Sequence, residues 1–281
     1  LSPLLKLALF LVQNDHVKNY NIITSRRLGI MMIFKRILGV LFFVVCGVFT
    51  QSSLANIHAE NEVFITKIDE GVWLHTSFYV YPNGTKFPSN GLIVREGQSL
   101  TLIDTAWGEL QTQQLLSVIN TEINLPITKA LVTHAHADRA SGVDVLEARG
   151  IKVYSHPLTQ QLTIEQGTAV PNNVIAELAT AGAQVKFGSL NVFFPGPGHA
   201  MDNIMVWLPD KRILYAGCAV RALQSNSVGN MAHGDIHSWL KITQQLKNDY
   251  KKLRRVVPGH GEIGGYDLLS HTEKLILNQL K

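Results

Sequence analysis

The chain has 281 residues, 46% of them hydrophobic, which is enough for one large domain or two small ones with a sizeable core. The formal charge of +4 is concentrated at the front: residues 1–55 hold six of the 25 basic side chains and one of the 21 acidic ones. The remainder sets 19 basic against 20 acidic groups. It has no basic stripe, which argues against a nucleic-acid or polyanion surface.

Residues 1–30 show no clear period and read as an upstream extension, with Met31 or Met32 as the better start. Met32-Ile33-Phe34-Lys35-Arg36, an apolar run from Ile37 to Phe49, and a small-residue end at Ala55 read as a secretory signal peptide over 31–55. The run is short for a membrane span. An uncleaved anchor helix is the alternative. A lipid on Cys46 is disfavoured by Val45 before it, where a small residue is wanted. The expected mature domain is therefore 56–281, exported to the periplasm, free of the membrane after cleavage, and monomeric by default. It would keep one cysteine, Cys218, and no internal disulfide.

The mature domain opens with strand-like text at Val63–Ile65, Val72–Leu74, Leu92–Val94 and Leu100–Ile103. Phe78 to Pro88 reads as a turn-rich loop carrying four aromatics, either a flap over a site or a lid on the core. Glu109 to Asn120 reads as a helix with Leu110, Leu115, Leu116 and Ile119 on one side. Ala130–Val132 is a buried strand, Val143–Arg149 a short helix and Ile151–Tyr154 a strand. Helical segments fit 157–166 and 172–181. Strands return at Gln184–Phe187, Leu190–Phe194, Ile204–Leu208, Ile213–Tyr215 and Val256–Val257. Helices are expected at Ile236–Tyr250 and Tyr266–Leu280. No short repeat, low-complexity tract or linker interrupts this alternation, so the fold class is one compact α/β domain.

His134, His136 and Asp138 fall at i, i+2 and i+4 directly after the buried strand. Neutral imidazole suits zinc, and a carboxylate offsets its charge. Surface histidines on a polar turn are the bland reading of that stretch alone. Three further strands end the same way: Pro195–Gly198 turns into His199, Gly217 runs into Cys218, and Pro258-Gly259 turns into His260. Strand ends on one rim of a sheet can converge on one cleft. Six ligands suit two zinc ions with three protein ligands each and open positions, the mark of a catalytic site. The other histidines, including His75, His156 and His233, lack this placement and read as surface or packing residues.

The His-x-His-x-Asp stretch, the distant histidine, the Gly-Cys and the Pro-Gly-His-Gly together resemble the class B metallo-β-lactamases, from about Val63 to the C-terminus. Pro88–Val94 and Leu102–Gly108 resemble the VIM-like branch of subclass B1. The resemblance implies an αββα sandwich in a single domain, with the site at one edge of two sheets. It implies a hydrolase in which two zinc ions acidify a shared water that opens the ring of penicillins, cephalosporins and carbapenems, conferring antibiotic resistance. By position, His134, His136 and His199 would hold the first zinc, and Asp138, Cys218 and His260 the second. Asp138 would also orient the attacking water, and Asn230 would assist at the substrate carbonyl. Arg221 would meet the substrate carboxylate, with Phe78, Tyr79 and Trp107 as further substrate contacts. Asp104 and Arg139 would orient ligands from behind. His233 departs from the family, standing where an acid is common. The rival readings are a lactone or thioester hydrolase of the same superfamily and a non-enzymatic exported zinc-binding protein.

Overall fold

The computed structural model describes residues 63–281. The segments read from the sequence as an extension and a signal peptide, and the first residues of the expected mature domain, lie outside them. Among the described residues no helix is long and apolar enough to cross a membrane.

Among the described residues, twelve strands form two sheets. The first holds β1 (Phe64–Asp69), β2 (Val72–Val80), β3 (Lys86–Glu96), β4 (Ser99–Ile103), β5 (Ile127–Val132), β6 (Lys152–Ser155) and β7 (Asn173–Val174), in that order. β1 to β4 pair antiparallel, and β4 to β7 pair parallel. The second sheet holds β8 (Gln184–Phe187), β9 (Leu190–Phe193), β10 (Met205–Leu208), β11 (Ile213–Gly217) and β12 (Arg255–Pro258), in sequence order across the sheet. Only its β11–β12 pair is parallel.

Side chains alternate across each strand, and here both faces are apolar. In β3, Leu92 and Val94 point into the core between the sheets with Val192, Val206, Tyr215 and Val257. Ile93 points the other way, onto Leu115 and Ile119 of α1 (Gly108–Glu122) and Leu146 of α3 (Val143–Glu147). On the second sheet, Leu214 and Val256 meet Ile242 and Leu246 of α5 (Ile236–Asp249) and Leu268 and Leu269 of α6 (Asp267–Gln279). The result is the αββα sandwich, helices outside and two sheets within. Two short helices complete the first half, α2 (Ala137–Ala140) and α4 (Pro157–Gln166).

Three expectations need correction. The aromatic stretch 78–88 is not a long loop. β2 and β3 stay paired from Val72↔Val94 out to Val80↔Lys86, so only Tyr81–Thr85 turns. Residues 172–181 do not form a helix: Asn173–Val174 adds an edge strand beside β6, and Ala176–Ala179 makes one 3₁₀ turn. Leu110 is exposed; the inner face of α1 is made by Gln111, Thr112, Leu115 and Ile119.

Candidate metal centre and active site

The six candidate ligands meet at one end of the sandwich. His134, His136 and Asp138 follow β5 in the first sheet. His199 follows β9, Cys218 follows β11 and His260 follows β12, all in the second sheet. Their ligand atoms form three overlapping groups, each within 4.8 Å: His134–His136–Asp138, His134–His199–Cys218 and Asp138–Cys218–His260. The rings of His134, His136 and His199 lie 4.7 to 5.3 Å apart and nearly perpendicular to one another. In the third group, Cys218 Sγ is 3.5 Å from Asp138 Oδ2 and 3.2 Å from His260 Nε2, which is 3.2 Å from the same carboxylate oxygen. Zinc ligands at roughly 2.0–2.3 Å in tetrahedral array stand roughly 3.3–3.7 Å apart.

The donors also fit zinc in their protonation. Burial, helped by the neighbouring His136 and His199, holds His134 well below its ordinary value, and burial lowers His136 too. Burial alone would raise the carboxyl of Asp138, but Arg139 and His260 outweigh it and hold Asp138 well below the usual carboxylate range. Neutral imidazoles and an anionic carboxylate are the forms that bind metal. Nε2 of His134 is buried with no hydrogen-bond partner among the described residues. A buried ring nitrogen without a partner is costly unless something else occupies it. The residues present therefore fit zinc.

The ligand turns are built by short local devices. Asp104 ends β4 with φ at 62°, a conformation Asp tolerates better than most side chains. Its carboxylate turns back to accept from Thr133 N at 2.7 Å and from the Thr133 hydroxyl at 2.9 Å, fixing the residue before His134. Burial pushes its carboxyl up, against Arg139 and the donors from Tyr215 and Thr133. Asp202 accepts from Ala135 N at 2.8 Å and from the Thr159 hydroxyl at 2.7 Å. Asn203 closes the turn around His199, accepting from Ala200 N at 3.0 Å and donating to Gly196 O at 3.1 Å.

Arg139 is fully buried behind the third group. Its Nη2 donates to Asp138 Oδ2 and to Gly259 O, each at 2.8 Å, and sits 3.2 Å from Cys218 Sγ. Its Nη1 reaches the Tyr215 hydroxyl at 3.0 Å and the carbonyl of Asn90. Burial opposes the guanidinium charge, but Asp138, Cys218 and Tyr215 together hold it well above its ordinary value. Tyr215 also lies 2.6 Å from Asp104 Oδ2. The Asn90 amide donates to Pro258 O and Gly261 O across the sheets.

Around the mouth, the expected substrate contacts divide. Tyr79 and Trp107 share a face, with ring centroids 5.2 Å apart, and Trp107 lies 6.3 Å from His260. Phe78 faces the other way, as alternation requires, and packs edge-on against Phe64 at 6.0 Å. Its place beside the ligands is taken by Phe87, the cross-strand partner of Tyr79, whose ring lies 4.7 Å from that of His260. Arg221 lines a groove of about 410 Å³ with Phe87, His260, Gln224 and Ser225. Its buried Nε has no partner among the described residues. Asn230 is exposed, and its side-chain oxygen accepts from Ala232 N at 3.0 Å within its own loop. His233, set aside in the sequence, sits with Nδ1 3.0 Å from Nε2 of His136. His75 and His156 are buried packing residues.

Comparison with known proteins agrees with this geometry. Residues 84–260 match the family model described as the metallo-beta-lactamase superfamily. A metallo-beta-lactamase type 2 of Bacillus sp. (strain 170) is 37% identical over 216 residues, 76% of this chain and 82% of the relative. One from Bacteroides fragilis is 30% identical over 237 residues, 84% of this chain and 94% of the relative. Among solved structures, a metallo-beta-lactamase from Pontibacter korlensis is 40% identical with a TM-score of 0.72, covering 78% of this chain and 100% of its own. The mono-zinc form of FIM-1 from Pseudomonas aeruginosa is 34% identical with a TM-score of 0.72, covering 77% and 96%. Sequence, fold and ligand cluster agree: the chain belongs to the metallo-β-lactamase superfamily.

Proposed function

We propose that the protein is a zinc-dependent hydrolase that opens the β-lactam ring of penicillins, cephalosporins and carbapenems. The observation that carries this is the Asp138–Cys218–His260 triangle set against three converging imidazoles, all at one end of the sandwich. We assign His134, His136 and His199 to one ion and Asp138, Cys218 and His260 to a second. His134 as first ligand, Arg139 after Asp138, and Cys218 support subclass B1. The text of Pro88–Val94 and Leu102–Gly108 supports the VIM-like branch. Export to the periplasm rests on the text of residues 31–55.

Bound at these groups, zinc supplies Lewis acidity toward the lactam carbonyl and makes water acidic enough to ionise near neutral pH. The chain's own groups do the rest. Asp138, kept anionic by Arg139, accepts a hydrogen bond from the attacking water and aims it. The side-chain amide of Asn230 turns to donate to the carbonyl oxygen as charge develops there. Arg221, a half-buried cation with no acid partner among the described residues, takes the substrate carboxylate. Tyr79, Trp107 and Phe87 cover the apolar side of the substrate and exclude water. Apolar contact of this kind suits a broad range of ring substituents.

The test is carbapenem hydrolysis by the purified protein, followed by absorbance with and without a chelator. Turnover that stops with chelator and returns with zinc supports the reading. Zinc-loaded protein inert to every β-lactam but active on a lactone or thioester would overturn it.

A further inference from the structure

Phe78 and Pro88 face each other across the β2–β3 hairpin. In an antiparallel ladder, alternate pairs turn their peptide groups toward each other or away. Pro88 has no N–H to offer, and this pair turns outward. On the outer side of β2, pairing with β1 reaches only to Phe64↔Thr76, and among the described residues no strand continues past it to Phe78.

A side chain takes the place of that missing strand. Gln111 Oε1 accepts from Phe78 N at 2.8 Å, and Gln111 Nε2 donates to Phe78 O at 2.6 Å. A primary amide carries the same donor and acceptor as a peptide unit. Gln111 therefore acts as one residue of an extra strand, projected from the first turn of α1. It is 6% exposed, so little water competes for either bond. One residue earlier, the Ser77 hydroxyl accepts from Trp107 N at 2.9 Å, tying β2 to the segment that leads into the same helix.

The other end of the rung touches the ligand cluster. The carbonyl of Pro88 is 2.7 Å from Nδ1 of His260. A carbonyl only accepts, so Nδ1 carries a proton, and Nε2 is the ring nitrogen left facing Asp138 and Cys218, the one a metal at that group would take. Phe87, the next residue along, lies against the same imidazole.

We propose that Gln111 is a positioning residue that sets, through the Phe78–Pro88 rung, both the reach of the aromatic hairpin over the cleft and the orientation of His260. The hairpin beyond the clamp, Tyr79 to Phe87, swings as one arm, and Gln111 fixes its pivot. Losing the clamp lets the arm move and lets the His260 ring turn with it. The proposal depends on the hydrolase reading only for its consequence in catalysis.

The test compares the full chain with Gln111→Met, which keeps length and removes both bonds, and Gln111→Glu, which cannot donate to Phe78 O when ionised. Amide hydrogen exchange over 78–87 and the ring-nitrogen NMR signals of His260 are read in metal-free protein. KM and kcat are then read in zinc-loaded protein. Gln111→Met is expected to speed exchange in 78–87 at least tenfold while β10 and β11 stay protected. It is also expected to mix the two His260 tautomers and to raise KM more than it lowers kcat. Gln111→Glu is expected to fall between the two in exchange. Unchanged exchange and an unchanged His260 tautomer overturn the proposal, as does loosening spread evenly over both sheets. Because exchange and tautomer need neither zinc nor a β-lactam, failure of the hydrolase reading would show in turnover alone.

Discussion

Arg139 Nη2 lies 2.8 Å from Asp138 and 3.2 Å from the sulfur of Cys218, so one buried cation serves two candidate metal ligands. Its other nitrogen reaches Tyr215, itself bonded to Asp104. Arg139→Met leaves Asp138 and Asp104 in the interior without their cation. Breaking a buried pair in this way costs about 3–5 kcal/mol. We expect a lower urea midpoint and weaker zinc retention at the Asp138–Cys218–His260 group, read by metal analysis after dialysis. Full stability with two zinc ions retained would refute the role.

Tyr215→Phe removes one hydroxyl that Arg139 and Asp104 both use. Leaving buried polar partners short costs about 1–3 kcal/mol. The urea midpoint should fall with an unchanged slope, since nothing else in the core moves. An unchanged midpoint would mean that water replaces the hydroxyl.

Gly259→Ala tests packing at the site. A Cβ there would lie 2.7 Å from Arg139 Nη2, from Cys218 N and from Cys218 Sγ. Overpacking of this kind costs about 1–3 kcal/mol. Circular dichroism should stay unchanged while the protein retains less zinc. Normal zinc content would show that Cys218 has room to yield.

His75 gives the fold an acid limb. Burial lowers its pKa from 6.5 to about 4 in the folded protein, although hydrogen bonds to the backbone of Ile103 and Asp104 oppose the shift. Below pH 6.5 the unfolded chain takes up a proton that the folded chain refuses, so stability falls as the pH drops toward 4. The full difference is roughly 3 kcal/mol. In metal-free protein, His75→Gln should flatten the loss of urea midpoint between pH 7 and 5. Parallel curves for the two proteins would count against it.

The ligand cluster is legible because the six ligands follow just four strand ends, three of them after β5 alone, and both residue type and strand are local signals. What lies behind it is not. Tyr215 reads as one more apolar residue of a buried strand; only the fold brings its hydroxyl to Asp104. Gln111 carries no signal in the sequence, where the helix is defined by its leucines; in the structure it is buried with its amide on the edge of β2. His233 has no strand before it to mark it in the sequence, although its loop returns it to His136. Pro82, Gly84 and Pro88 signal turns and hide the hairpin, because Pro88 sits at an outward-facing rung where its missing N–H costs nothing. Residues 172–181 carry helix-forming alanines, but Asn173 and Val174 pair with the open edge of β6 and the segment cannot also be helical there.

The candidate ligands come from both sheets, with Asp138 drawn from one and Cys218 and His260 from the other. An ion held there ties the two halves of the sandwich at the end where the ligands meet. Its binding energy is then also folding energy, and the melting temperature should climb with free zinc. At a hundredfold excess over the dissociation constant the gain is about 2.7 kcal/mol. Zinc supply would thus set how much of the chain is folded as well as how much of it is active.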